Sequence, residues 1–575
     1  MDINQVEALI DAQMDGLEIY SLKTEDAIFL ACQFFETSMQ LLDSEFKKRN
    51  IHPSKHVGTR ELIHDWYGAL DVLLRFLATR CTGTTAPPEG LPLWDVAGKA
   101  FARAFAQSNA EDLFKPFRKG LFVHSIEQHE DGPAITFNYK NENVALYEHI
   151  NERLLAEYNA SIAKKIEIGY SLANHLHSRG TYEDTFTSKS IILTEAYFDL
   201  PDDYKVGPYT IDQLKEVWYK VLREAFYGSY YNRNTLLKQI DSDIELSTLR
   251  SLNWKQWNFS KVSKDITQSI LNDLSFKVIP KKYNSLFGEP VIDSETLEDK
   301  FIVPSFVLKN QHGRNIISTL NRKYAGKYTL DTGEKERIFV EEINQIISNF
   351  DNLLLISSID IGDTDIDCII YDKSNKCLIA LELKWFNEPA TADEIVSKDL
   401  EISKGLNAQL PKYEAYLKEK AEDVLRKHTG EELEVRRQYY FVLTRVTIGS
   451  GLIERPKAYR VISIRMLKKA LWDNRGNLMR AATRMFYGGY LPTPGKHFVG
   501  PVRATQQING VLIHSEGATV RSNVNYLTPD DLVLFVKTLK IDRETVKLVK
   551  KAMSGSATIP VSDYRLFEYL SKRYS

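Results

Sequence analysis

The sequence predicts a multidomain α+β chain. It has a mostly helical first half, an α/β core after about residue 276 and a small helical C-terminal region. Three observations carry this. The chain has 575 residues, which at roughly 150 per domain makes three or four units. Apolar residues recur at helical spacing through most of the first half. Short apolar, partly β-branched runs between turn residues then replace that pattern.

Within residues 1–80, Ile28, Leu30, Phe34, Phe35, Leu41 and Leu42 keep helical spacing, and Leu62, Trp66, Leu70, Leu73, Leu74 and Leu77 repeat it. CTGTTAPPEGLP from Cys81 has the composition of a loop. Helix resumes from about Trp94 to Phe117, residues 120–140 alternate as a short hairpin does, and 143–270 are again mostly helical. The aromatic run from Trp218 to Tyr231 reads as core rather than binding surface. FIVPSFVL, from Phe301, is β-rich. A helix from about Glu334 to Phe350 then precedes three strand-like runs: Leu353–Ile359, Asp365–Asp372 and Cys377–Trp385. A long helical region, Ala392 to Leu425, leads to a fourth strand, Tyr439–Arg445. Thr528-Pro529-Asp530-Asp531 is a helix start, with a cap, a proline in the first turn and acids facing the dipole. Two more short helices are expected from Arg543 and Ser562. The expected domains are 1–275, 276–500 and 501–575.

Composition narrows the class. Hydrophobic residues are 43% and charged residues 26%, so a folded chain rather than a disordered one is expected. Net charge is −3, so any nucleic-acid surface must be a local patch. Cys32, Cys81, Cys368 and Cys377 form no CxxC pair, which argues against a disulfide framework or a thiolate zinc site. The N-terminal residues lack the basic-then-apolar order of a signal peptide, and no apolar run nears the ~18–20 residues that span a bilayer. No membrane association and a cytoplasmic location are expected.

The chemistry concentrates in GDTDIDCIIYDKSNKCLIALELKWFNEP, Gly362 to Pro389. Asp367 stands near the start of one strand, a turn follows, and the next strand ends in Glu382-Leu383-Lys384. Strand periodicity puts Glu382 and Lys384 on one face. If the strands form a hairpin, Asp367 lies beside Glu382, and two carboxylates and an ammonium meet at one sheet end. Hard oxygen ligands favour Mg²⁺, which keeps waters for hydrolysis, and Mn²⁺ should substitute.

Over roughly residues 330–465 this pattern resembles the PD-(D/E)XK nuclease superfamily. The resemblance implies a restriction-endonuclease-like α/β core with a central mixed sheet. It implies that Asp367 and Glu382 bind metal and that Lys384 assists catalysis. Ile366 stands where the motif's Pro would be. Gln409-Leu-Pro-Lys-Tyr413 resembles the Gln-xxx-Tyr motif of the RecB-like branch, with both side chains on one helix face. Pro411 inside it implies a kink or a helix start. Family members often carry an upstream helical glutamate. Of Glu336, Glu341 and Glu342, the first falls on the apolar face and is the expected third metal ligand.

From Arg436 to Gly500 there are thirteen Lys or Arg against two acids, Glu454 and Asp473. Lys468, Lys469, Arg480 and Arg484 are the expected nucleic-acid contacts within it. The resulting expectation is a Mg²⁺-dependent endonuclease, DNA favoured, in prokaryotic restriction or antiphage defence. The N-terminal half would sense, regulate or target, or mediate homo-oligomer or partner contacts. The alternative is a nucleic-acid-binding regulatory or assembly protein whose nuclease-like domain is inactive.

Overall fold

The computed structural model describes residues 1–49, 57–83, 93–176, 181–198, 200–238, 248–259, 261–276, 285–294, 299–310, 312–325, 332–386, 389 and 391–520. The chain is mixed α/β and divides into two compact units. The first holds Met1–Glu111 and Asn159–Leu330, and the second holds Asp112–Tyr158 and Asp331–Asn523. The expected boundaries differ from this division. Residues 276–330 fall in the first unit, and 112–158 join the second across the intervening sequence. Among the described residues, no helix is long and apolar enough to cross a membrane. None of the four cysteines forms a disulfide.

The first unit is helical where the apolar spacing predicts it. Helices Thr24–Lys48 and Val57–Arg80 bury Ile28, Phe35, Leu70, Leu73, Leu74 and Leu77 in one core. The aromatic run lies on helix Ile211–Lys238 and is core on one side only: Trp218 is buried, whereas Tyr231 is 61% exposed. FIVPSFVL is only half strand. Strand Asp299–Ile302 ends there, and Pro304 opens helix Pro304–Lys309 at its first position, where a missing N–H costs nothing.

In the second unit, hairpin β1 (Phe122–His129) and β2 (Gly132–Tyr139) precedes helix α1 (Glu142–Leu176), which belongs to this unit up to Tyr158. Then come α2 (Thr332–Ile347), β3 (Leu353–Asp360), β4 (Asp365–Asp372) and β5 (Cys377–Lys384). The expected long helical region is made of short helices α3 (Ala392–Val396) and α4 (Asp399–Lys404), a π turn (Gly405–Gln409) and α5 (Leu410–Thr429). The chain continues through β6 (Arg437–Thr444), β7 (Arg460–Ser463), α6 (Ile464–Asp473) and α7 (Leu478–Phe486) to β8 (Phe498–Ile508) and β9 (Val511–Val520).

The main sheet has the order β7-β6-β5-β4-β3. β5 pairs antiparallel with β4 and parallel with β6, so the sheet is mixed. CLIALELK is an almost unbroken apolar run because β5 is central: every residue from Cys377 to Leu383 is buried. One sheet face carries α5, through Tyr413 against Glu382 and Gln438 against the Leu417 carbonyl. The other carries α2 and α7, through Arg445 against Glu342 and Tyr439 against Thr483. Strand alternation separates these two sets of side chains.

The expectation of a helical region from residue 501 fails over 501–520, which are two strands joined by a turn at 509–510. β8 and β9 form a hairpin whose Ile513 pairs with Ile135 of β2. The Asn509-Gly510 loop takes positive φ at both residues, as a two-residue hairpin turn of this hand requires. The helix starts expected at Thr528, Arg543 and Ser562 lie outside the described residues.

Candidate active site

The β4–β5 register brings the acids together. Cys368 faces Leu381, so one step further Asp367 lies opposite Glu382. Lys384 shares the Glu382 face by alternation. Asp367 Oδ2 accepts the Leu383 N–H at 2.7 Å. Glu382 is 4% exposed and doubly engaged. Its Oε1 lies 2.8 Å from Lys384 Nζ, and its Oε2 accepts the Tyr413 hydroxyl. The same hydroxyl is 2.8 Å from the Asp365 carbonyl oxygen, so α5 is tied to both β4 and β5. Lys384 also lies 4.0 Å from Glu401 on α4.

Electrostatics marks this sheet end. Burial first, and then the Glu382 carboxylate, push Asp367 up to about 8. Glu336 adds to that push, while the Leu383 N–H and Lys384 oppose it. Glu336, half-buried on α2, is itself raised by burial and then by Asp365 and Glu382. The Tyr413 hydroxyl is raised by burial and by Asp367 and Glu382, so it stays a neutral donor. Asp367 and Glu336 are both raised by burial and by the Glu382 carboxylate, and a divalent cation drawn between such oxygens would relieve that crowding. In the arrangement described, no three His, Cys, Asp or Glu side chains among the described residues stand close enough to hold an ion. Glu382 is turned to Lys384 and Tyr413 instead.

The structure therefore brings Asp367, Glu382, Lys384 and Tyr413 together, and Glu336 acts on them electrostatically from α2. Gln409 stands at the edge, its Oε1 accepting from Thr364 Oγ1 at 3.3 Å. Pro411 explains the local backbone. Its ring excludes a regular α-helical bond from below, and the π turn ending at Gln409 absorbs the break before α5 continues.

The basic patch is not part of this assembly. Lys469 pairs with Asp473 at 3.4 Å, and Lys468 also has a partner. Arg480 and Arg484 are exposed on α7 and make no ion pair among the described residues. However, α7 lies on the sheet face opposite Tyr413, and its start is bonded to Asp372, at the turn end of β4. Five residues separate Asp372 from Asp367, about 16 Å of strand. Much of the remaining basic stretch is structural. Arg445 covers the Trp385 ring at 4.6 Å, and Arg460 donates to the carbonyls of Phe486, Pro456, Lys457 and Tyr459.

Gly405 at the site, and Lys335 and Lys398 on the flanking segments, were not expected from the sequence. A Cβ on Gly405 would come 2.9 Å from Val442 Cγ2, 3.2 Å from Glu382 Cγ and 3.6 Å from Lys384 Cε. Only glycine lets the π turn lie on that pair, and a lone helical Gly shortly before Pro411 was the available signal. Lys335, beside Glu336, is held below its ordinary value by burial and then by Lys398. Lys398, one turn before Glu401, lies 5.8 Å from the Phe386 ring centroid. No sequence periodicity pairs these two lysines. No protein-family model matches the chain, and comparison with curated proteins and with solved structures finds no match, so the reading of the site rests on its geometry.

Proposed function

We propose that the second unit is a PD-(D/E)XK-type nuclease that hydrolyses phosphodiester bonds with Mg²⁺, for which Mn²⁺ substitutes, acting on nucleic acid with DNA favoured. The observation that carries this is the meeting of Asp367, Glu382 and Lys384 at one end of a five-stranded mixed sheet, with Glu336 within electrostatic reach on α2. A restriction-endonuclease-like core is the architecture that sheet, with helices on both faces, fits best. Asp367 and Glu382 would hold the cation, with Glu336 as a further oxygen ligand. When bound, the cation polarises the scissile phosphate and makes water acidic enough to attack. Lys384, released from Glu382, orients that water and balances charge on the phosphate. Tyr413 and the Leu383 N–H keep the two carboxylates aimed inward. The first unit would then regulate or target cleavage, or bind a second copy or a partner protein, and restriction or antiphage defence is the setting this suits.

A second reading has its own observation. Glu382 is saturated by Lys384 and Tyr413, as in a buried structural ion pair, which fits an inactive nuclease-like domain that only binds nucleic acid. The full chain incubated with plasmid, linear duplex, single strands and RNA, with Mg²⁺ or with a chelator, separates the two. Metal-dependent cleavage that disappears in Glu382→Ala supports the first. No cleavage of any substrate, with retained binding, supports the second.

A further inference from the structure

Within the second unit lies a cavity of about 450 Å³ that the proposed chemistry does not use. Its walls come from α1, the π turn, the 447–460 loop, β7, α6, α7 and the segment after α7. Arg455, Lys457 and Arg460 line it, and among the described residues no carboxylate does. Arg455 is held on three sides: its guanidinium lies 3.9 Å from the Tyr147 ring centroid, and Nη2 donates to the carbonyls of Ile448 at 2.8 Å and Ser450 at 3.1 Å. Its Nε is nonetheless buried with no hydrogen-bond partner. Tyr459 and Tyr490 also line the cavity, and both are fixed by their hydroxyls, Tyr459 on Glu414 at 2.6 Å and Tyr490 by Asn474 at 3.0 Å.

Preset rings beside three cations, in a space of the size that small ligands occupy, select a molecule with an anionic end and a planar aromatic end. We propose that this cavity binds a free nucleotide, its phosphates held by Lys457 and Arg455 and its base among the tyrosine rings, while Arg460, whose Nε and Nη1 are bonded to backbone carbonyls, adds positive charge to the wall. The cavity also touches the candidate active site through the chain. Leu406 lines it, and the preceding residue, Gly405, packs on Glu382 and Lys384. Nucleotide binding therefore bears on the π turn that holds the catalytic pair. This coupling, unlike the binding itself, rests on the nuclease reading.

The test is titration calorimetry of the full chain with ADP, with pyrophosphate and with adenosine. ADP binds in the micromolar range, and each fragment binds far more weakly. Lys457→Glu, at an exposed position, weakens ADP by about tenfold, the worth of one charge-assisted hydrogen bond. Leu491→Trp, which fills the cavity from its lining, removes ADP binding; should it melt early, Lys457→Glu still decides. No ADP binding to the natural chain, or equal binding by Lys457→Glu, overturns the proposal. Pyrophosphate binding as tightly as ADP overturns the nucleotide assignment. Hydrogen exchange at residues 405–410 slows when ADP binds, and unchanged exchange overturns the coupling. Both readouts are independent of cleavage, so a chain that cuts nothing sinks the nuclease reading while leaving the pocket tested.

Discussion

Two aspartates on β4 have opposite fates. Asp372, at the turn end, is fully buried and accepts from Asn352 Nδ2, the Ser374 and Asn375 N–H groups, Asn375 Nδ2 and the Leu478 N–H at the start of α7. Every one of those donors is neutral, and none competes for charge. Asp367, five residues away, accepts from one backbone N–H and faces Glu382 and Glu336. The same residue type on the same strand thus fastens the hairpin at one end and stays electrostatically uncomfortable at the other. A carboxylate ringed by donors serves the fold, whereas one crowded by other carboxylates is available for chemistry.

That contrast can be broken experimentally. If the proposed function holds, Asp367→Ala and Glu382→Ala should each cut Mg²⁺-dependent cleavage by roughly 10³-fold or more, because each would remove a ligand for the cation. Above about pH 8, where Asp367 is ionised beside Glu382, the Asp367→Ala protein should melt no lower than the natural chain, since a buried like-charge repulsion is relieved. Cleavage unchanged in both variants would end the nuclease reading. Asp372→Ala should do the reverse. It orphans several buried donors and should cost about 3 kcal/mol of stability, while cleavage per folded molecule is preserved. Chemical denaturation alongside rate measurements checks both halves. Lys384→Ala should lower kcat by about 10²-fold with substrate affinity nearly unchanged, as expected of a group acting in the chemical step. Equal losses in rate and affinity would make it a phosphate anchor instead. Gly405→Ala sharpens the picture. Its methyl group must displace Val442 or the Glu382 stem, so a drop of about tenfold in rate is expected, with stability lowered by about 1 kcal/mol. A fully active variant would show that the π turn does not position Glu382.

The smallest effect belongs to Arg480 and Arg484. Replacing both with Ala should lower the slope of log affinity against log salt by about 0.7–0.9 for each phosphate no longer neutralised. Because α7 sits on the opposite sheet face, the change should appear with a long duplex and leave the maximal cleavage rate alone. A lower rate on a short substrate would mean that nucleic acid reaches round the sheet edge.

Legibility in the sequence followed the range of the interaction. The acids on β4 and β5 could be paired because a tight hairpin links them and period-two alternation fixes their faces. Glu336 could be selected because the helical stripe of Phe339, Ile343 and Ile347 set the orientation of α2. Lys398 and Gly405 could not, since their places depend on how short helices stack after β5. The β8–β9 hairpin was legible in Asn509-Gly510 between alternating segments, a strong hairpin signal, but the polar run Arg503-Ala-Thr-Gln-Gln507 before it obscured the strand pattern. Nor could any local pattern tell that α1 begins in the second unit.

That last feature has a consequence for modularity. Asn151 of α1 bonds Gly449, Thr447 and Ile448, Asn143 bonds Gly451, and β2 supplies the partner strand for β9. The unit bearing the carboxylates is thus stitched from two stretches separated in sequence by part of the other unit. A protein begun at residue 331 would lose the clamp on the 447–451 loop and leave a strand edge bare. In heredity as in the laboratory, this unit cannot be traded by a single cut: any recombination that transplants residues 331–523 must carry 112–158 with it.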